Sequence, residues 1–447
     1  MRRQAIRKGI PPFLATLRAL PFLKIAGPLA FQSGFYSDIC VCFLRFSVRP
    51  FSMLQGIRFT LIFYFLLLCT LPLRAQLSAQ AQLSVLTCGP GSELYSTFGH
   101  TAFRVQDPVN HLDIVYNYGT FDFNTPNFYL KFARGKLLYS LSRERFEDFL
   151  YTYELENRWV KEQLLRLTDH QKNELMRFLE INYQPDNREY KYDFLFNNCS
   201  TKIPEVLGKV LGAELHFKED YLENQYTFRQ LIHQYLETNS WSSLGIDLAL
   251  GAVIDRKAST REHTFLPDYV LRQLNHTELD NKPLVIRERS ILKNETTESG
   301  RYITMSPAFW FLLALMFTVA ITVIDYKNHS RSRILDFIVF FSTGFVGLII
   351  FLLWFFTDHT ATAWNLNLLW SFPLNIIAAW HLVRIDTFPK WMPAYLLALL
   401  VLLALTALIW LFKIQVFSPL LVLVWLCLGL RYAFLYRHYR GKIMKMS

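Results

Sequence analysis

Charge is scarce in this sequence. Asp, Glu, Lys and Arg make up 19% of its 447 residues, against 52% hydrophobic and 16% aromatic residues, the balance of a membrane protein rather than a soluble one. Glycine and proline, at 18 each, follow no repeat; a collagen-like array and a long disordered tail are both excluded. Acids are nearly missing from residues 1–52, where Asp38 stands alone against Arg2, Arg3, Arg7, Lys8, Arg18, Lys24, Arg45 and Arg49. Much of the net charge of +11 comes from that stretch, so the excess is not read as a nucleic-acid surface.

Long apolar runs are missing between Leu83 and about Arg301, where charges recur every few residues as in a soluble domain. From Pro307 onward five runs approach the roughly 20 residues that cross a bilayer as a helix: Pro307–Ile324, Ile334–Phe356, Thr362–Val383, Pro393–Phe412 and Phe417–Leu435. Lys327, Arg331 and Arg333 follow the first, Arg384 and Lys390 the third, and Arg431, Arg437, Arg440, Lys442 and Lys445 mark the last. Positive charge collects on the cytoplasmic side. The expected topology therefore places the soluble region outside the inner membrane and the C-terminus in the cytoplasm.

The start of the chain agrees. Met53 to Arg58, the apolar run Phe59–Leu73 and then Arg74-Ala75-Gln76 follow the order of a secretory signal, either cleaved near Ala75 or kept as an anchor. Residues 1–52 fit neither half and read as a doubtful upstream extension, with Met53 a second candidate start. The expected divisions are 1–52, 53–75 (signal or anchor), 83–300 (exported domain), 306–436 (membrane domain) and 437–447 (cytoplasmic tail). Of six cysteines, Cys40, Cys42, Cys69 and Cys427 fall in the leader or the last span. Only Cys88 and Cys199 reach the exported domain, as a disulfide or as free thiols.

Two segments concentrate chemistry. Gly89 to Val105 is a turn-rich stretch leading into a strand, with His100 at its start, Gly99 leaving room beside it, and a partner strand expected over Leu112–Tyr118. In the second, Asn197-Asn198-Cys199-Ser200-Thr201 precedes Leu207, Val210 and Leu211 at helical spacing. Pro204 keeps the helix from starting much before Ser200, so Cys199 falls at the helix N-terminus, where unpaired amides and the macrodipole favour a thiolate. Spacing alone leaves open whether Cys199 and His100 meet.

Gly99-His-Thr-Ala-Phe-Arg-Val105, Asn117-Tyr-Gly-Thr-Phe-Asp-Phe123, Asn127 to Lys136 and Asn197-Asn-Cys-Ser-Thr201 resemble the Lnb N-terminal periplasmic domain family, over about residues 83–290. The resemblance implies an α+β exported domain of permuted papain-like (NlpC/P60-type) fold, an antiparallel sheet with helices, followed by an all-α polytopic membrane domain of about five helices. It further implies a cysteine-dependent lipoprotein N-acyltransferase. An acyl chain would pass from a phospholipid through a Cys199 thioester to the α-amine of a diacylated lipoprotein, with His100 as base. Asn117, Tyr118 and Asp122 are candidates to orient His100, and Asn198 to assist the oxyanion. The reaction requires no metal or cofactor, and His111, His170, His216 and His233 lack zinc-like spacing partners.

Arg143–Leu155 and Thr168–Asn182 read as amphipathic helices, and Tyr192 and Phe194 as packing beneath the site. Arg229 and Asp247 are candidate headgroup contacts; Asp358, His359, Asn365 and Asn367 are candidate lipid contacts at the outer end of the second and third spans. Two other readings remain at this level: a membrane-anchored cell-wall amidase or peptidase of the same fold, and a non-catalytic receptor or assembly factor held by a Cys88–Cys199 bridge.

Overall fold

The computed structural model describes residues 76–294, 303–384 and 389–444. The upstream extension, the signal segment through Ala75, residues 295–302 and 385–388, and the last three residues, including Lys445, lie outside the described residues.

The first half alternates strands and short helices: β1 (Gln82–Cys88), β2 (His100–Asp107), β3 (Leu112–Thr120), α1 (Phe128–Ala133), β4 (Leu138–Arg145), α2 (Phe146–Leu155), β5 (Val160–Leu165), α3 (Asp169–Tyr183), β6 (Glu189–Lys191), α4 (Cys199–Leu211) and β7 (Leu215–His216). It continues with α5 (Phe228–His233), α6 (Trp241–Ala249), α7 (Pro267–Asn275), β8 (Glu278–Leu279), β9 (Lys282–Pro283) and β10 (Val285–Leu292). Seven strands form one antiparallel sheet in the order β10-β5-β1-β2-β3-β4-β6. Alternation along the strands feeds two cores. Leu83, Val85, Phe103, Val105 and Tyr116 pack with Leu175, Ile203 and Leu207 of α3 and α4. Leu86, Cys88, Ala102 and Val115 pack with Phe149 and Tyr153 of α2.

Two sequence expectations shift here. The stretch expected as one helix from Arg143 divides at Phe146, because Leu138–Arg145 pairs with both β3 and β6 before the chain turns into α2. Cys88 and Cys199 are both free: Cys88 belongs to the core under α2 and hydrogen-bonds with Tyr153, whereas Cys199 packs against the other core.

Among the described residues the second half has five α-helices: α8 (Pro307–Lys327), α9 (Arg333–Phe355), α10 (Asn375–Arg384), α11 (Met392–Leu411) and α12 (Leu421–Met444). Four are long and apolar enough to cross a membrane. The third expected span is the exception. Thr362–Val383 holds short 3-10 turns and only the ten-residue α10, since Pro373 lacks a donor and Asn365, Asn367 and Asn375 spend their side chains on other backbone and hydroxyl groups. It nevertheless runs the length of the bundle: Leu366 N donates to Gln415 between α11 and α12, and Leu382 O accepts from Arg331 at the opposite end. Irregular backbone at membrane depth is tolerated where protein covers it. α12 continues as helix through Met444, into the residues expected as the tail. Arg431, expected as a cytoplasmic surface charge, is fully buried and pairs with Asp336 (2.6 Å) and Asp325 (2.7 Å).

Candidate active site

The local sequence builds the start of α4 before any tertiary contact is needed. Asn198 is its N-cap: Oδ1 accepts from the amides of Ser200 and Thr201, both at 2.9 Å, and the Thr201 hydroxyl accepts from the Asn198 amide at 2.8 Å. Cys199 is the first helical residue, and its amide is the one that this cap leaves over. Asn198 Nδ2 donates to Phe194 O and Phe265 O, each at 2.8 Å, which pins the helix start to the loop before α7. Both its amide donors are spent, so Asn198 positions Cys199 instead of assisting an oxyanion. Pro204 sits in the second helical turn, one turn later than its chemistry suggests.

His100 opens β2, opposite Cys88 in register. Its imidazole and the Cys199 thiol line the same cavity, close enough for each to shift the other's ionisation. Nε2 bonds with Asn117 Oδ1 of β3, which leaves Nδ1 for the sulfur. Asn117 Nδ2 donates to Glu144 Oε1 of β4 at 3.3 Å. The chain Cys199–His100–Asn117–Glu144 thus crosses from the helix over three strands. Glu144 was not among the sequence candidates; it lies 27 residues from Asn117, and only the β3–β4 pairing brings it near. Of the other orienting candidates, Tyr118 points to the opposite sheet face and accepts from Asn182 at 2.9 Å, and Asp122 is exposed and binds Asn124 in its own turn.

Gly119 is held at φ +87°, and a Cβ there would stand 3.3 Å from Cys199 Cβ; this strand comes close to Cys199 because it carries no side chain at that point. Gly99, at φ +82°, serves the backbone: its Cβ would lie 2.6 Å from Cys88 O.

Burial favours the neutral thiol of Cys199, but the facing imidazolium, the Thr101 amide and the Ser200 hydroxyl outweigh it, lowering the pKa to about 7. Burial also opposes charge on His100, yet the thiolate and Asn117 carry its pKa upward. At Cys88 burial outweighs the Tyr153 hydroxyl and the nearby Arg158 charge, and the thiol is pushed up to about 12. Alkylation by iodoacetamide should therefore fall on Cys199 and spare Cys88. Its rate should rise about tenfold from pH 6 to pH 8, as thiolate grows from about one eleventh to about ten elevenths of the population. A flat or absent reaction would contradict the thiolate assignment.

The pair opens into a cavity of about 490 Å³ walled by Phe98, Phe121, Tyr139, Tyr192, Phe194 and Phe265. Tyr192 and Phe194, expected beneath the site, line it. The rim on one side is Asp358 to Ala361, the loop after α9. Asp358 pairs with Lys191 at 2.9 Å, and His359 Nε2 bonds with Phe132 O at 3.1 Å, so both contact the first half of the chain beside the cavity.

The remaining candidates are structural in placement. Asn365 donates to Leu248 O and Ala249 O, and Asn367 to Asp247 O; they satisfy the last carbonyls of α6, which a helix leaves unpaired. Arg229 and Asp247 are 3% and 2% exposed. Arg229 pairs with Asp247 at 2.9 Å and Asp255 at 2.8 Å, and His233 also meets Asp247. Arg229 and Asp247 are closed to a headgroup, and of this cluster His233 alone is partly exposed. Arg229→Ala should cost about 3–5 kcal/mol, because it strands two buried carboxylates. Thermal unfolding in detergent measures this, and a raised KM with unchanged stability would instead restore the headgroup role.

Two family matches cover most of the described chain. Residues 72–234 match the Lnb N-terminal periplasmic domain, and residues 297–442 match the Lnb transmembrane domain. No curated protein and no solved structure matches the sequence.

Proposed function

The chain belongs to the Lnb family, and on that premise we propose that it is a lipoprotein N-acyltransferase of the inner membrane, with its C-terminus in the cytoplasm. The observation that carries the reading is the meeting of Cys199 and His100 in an apolar cavity whose rim is the outer loop of the membrane domain. A hydrophobic pocket there suits an acyl chain better than a polar peptide.

In the first half-reaction the Cys199 thiolate attacks the carbonyl of a phospholipid ester. The Cys199 amide faces the developing oxyanion. The C–O bond breaks, the acyl group remains on sulfur as a thioester, and His100 gives its proton to the departing lysophospholipid alkoxide. In the second, the α-amine of a diacylglyceryl-cysteine attacks the thioester. His100, now neutral, takes the amine's proton, the C–S bond breaks, and the thiolate–imidazolium pair returns. Asn117 fixes the imidazole through both steps, and Glu144 fixes Asn117.

Mass spectrometry of lipoprotein N-terminal peptides tests this. A strain lacking the protein should accumulate lipoproteins with a free α-amine, and the wild-type chain should restore the N-acyl group. Unchanged N-acylation in a strain with no second enzyme would reject the function.

A further inference from the structure

We propose that α1 and the turn after it, residues 123–137, lie in the outer headgroup layer of the bilayer and receive the phosphodiester of a phospholipid. The position in the bilayer stands on its own observations; the role in supplying the acyl donor rests on the acyltransferase reading.

This lip exposes what a soluble surface would bury. Phe123, Tyr129, Leu130 and Phe132 are 52–79% exposed, while only Phe128 of α1 is buried. Scattered apolar residues need no explanation, but a contiguous cluster does. Its level relative to the membrane bundle is set by backbone contacts. Asp358 N donates to Arg134 O at 2.9 Å, and His359 bonds with Phe132 O. Gly135, at φ +66°, packs so closely that a Cβ would stand 3.2 Å from the Asp358 and His359 backbone. Asp358 follows the end of α9 by three residues. That end carries exposed Phe355 and Phe356, with Trp354 stacked on Phe355 and Trp364 tilted against Trp354 at 5.7 Å, the aromatic composition of a membrane–water boundary. The lip is therefore held at the height of the interface.

Its charges match a phosphate. Lys131, Arg134 and Lys136 interleave with the exposed apolar residues, and none forms an ion pair within 4 Å among the described residues. Asp358 pairs with Lys191 at 2.9 Å and is held ionised also by the nearby charges of Lys136 and Arg134, so one carboxylate faces several cations. Cations beside exposed aromatics are the signature of an element lying in the interface plane. Phe132, Gly135 and Leu137 also line the Cys199 cavity, so the surface that meets the headgroup continues into the space that would take the acyl chain. The headgroup role once expected of Arg229 and Asp247 belongs here.

The test uses the full chain in nanodiscs, with Cys40, Cys42, Cys69 and Cys199 replaced by alanine and a fluorophore on Leu130→Cys. The control label sits on Val109→Cys, exposed at the far end of β2. Nitroxide lipids should quench the first several-fold more than the second; equal, weak quenching would overturn the placement. In a second arm, Lys131→Gln/Arg134→Gln/Lys136→Gln with Cys199 intact should raise the KM for phospholipid about tenfold or more, given about 1 kcal/mol per cation near a lipid surface, with a smaller change in kcat. An unchanged KM would overturn the headgroup role. Should the wild type transfer no acyl group, the acyltransferase reading fails while the quenching still decides where the lip lies.

Discussion

Cys199→Ser is expected to lower acyl transfer by on the order of ten-thousandfold or more, the scale of removing a covalent nucleophile, while the protein remains folded and inserted. A thiol held at about pKa 7 is largely ionised near neutrality; a serine hydroxyl in the same place is not, and His100 is tuned to pair with a thiolate. The substitution leaves the helix start intact, because Asn198 and Thr201 make the cap. Thermal unfolding should change little, and lipoprotein peptides from cells holding only this variant should carry a free α-amine. Full N-acylation in those cells would move the nucleophile elsewhere.

His100→Ala should cost about a hundred- to ten-thousandfold, the usual contribution of a positioned acid–base group. It removes a proton carrier and also the main influence that lowers the Cys199 pKa against burial. The thiol should then titrate at or above the ordinary value of about 8.5, leaving about 3% thiolate or less at pH 7. Raising the pH should recover iodoacetamide reactivity and part of the first half-reaction. If the alkylation profile of His100→Ala matches that of the wild type, the imidazole does not control the sulfur. Asn117→Ala should act in the same direction but more weakly, since it loosens the ring without removing it.

Much of this site was legible because its determinants are local. Asn198, Cys199, Ser200 and Thr201 encode the cap and the helix start within four residues, and Gly99-His100 announces a strand beginning beside a turn. The pairing of the two segments came from resemblance, and the geometry supplies what neither spacing nor resemblance held: Asn117 over Tyr118, a choice made by strand alternation, and over Asp122, which lies past the strand in its own turn, and Glu144, reached only through sheet register. Arg229 and Asp247 misled because a charge in sequence carries no sign of its burial. Thr362–Val383 misled for the opposite reason. Its apolar content satisfies a composition rule, while Pro373 and the asparagines decide its backbone. The same asparagines tie the membrane bundle to α6, close to the ion-pair cluster that holds that helix.

The central claim is a covalent acyl group on one sulfur, and it can be weighed directly. Purified protein is incubated with a defined phospholipid in the absence of any lipoprotein acceptor, quenched in acid and digested for mass spectrometry. The peptide containing Cys199 should gain the mass of that phospholipid's acyl chain and lose it in neutral hydroxylamine. An unmodified Cys199 in a preparation that transfers acyl groups once acceptor is added would contradict the account.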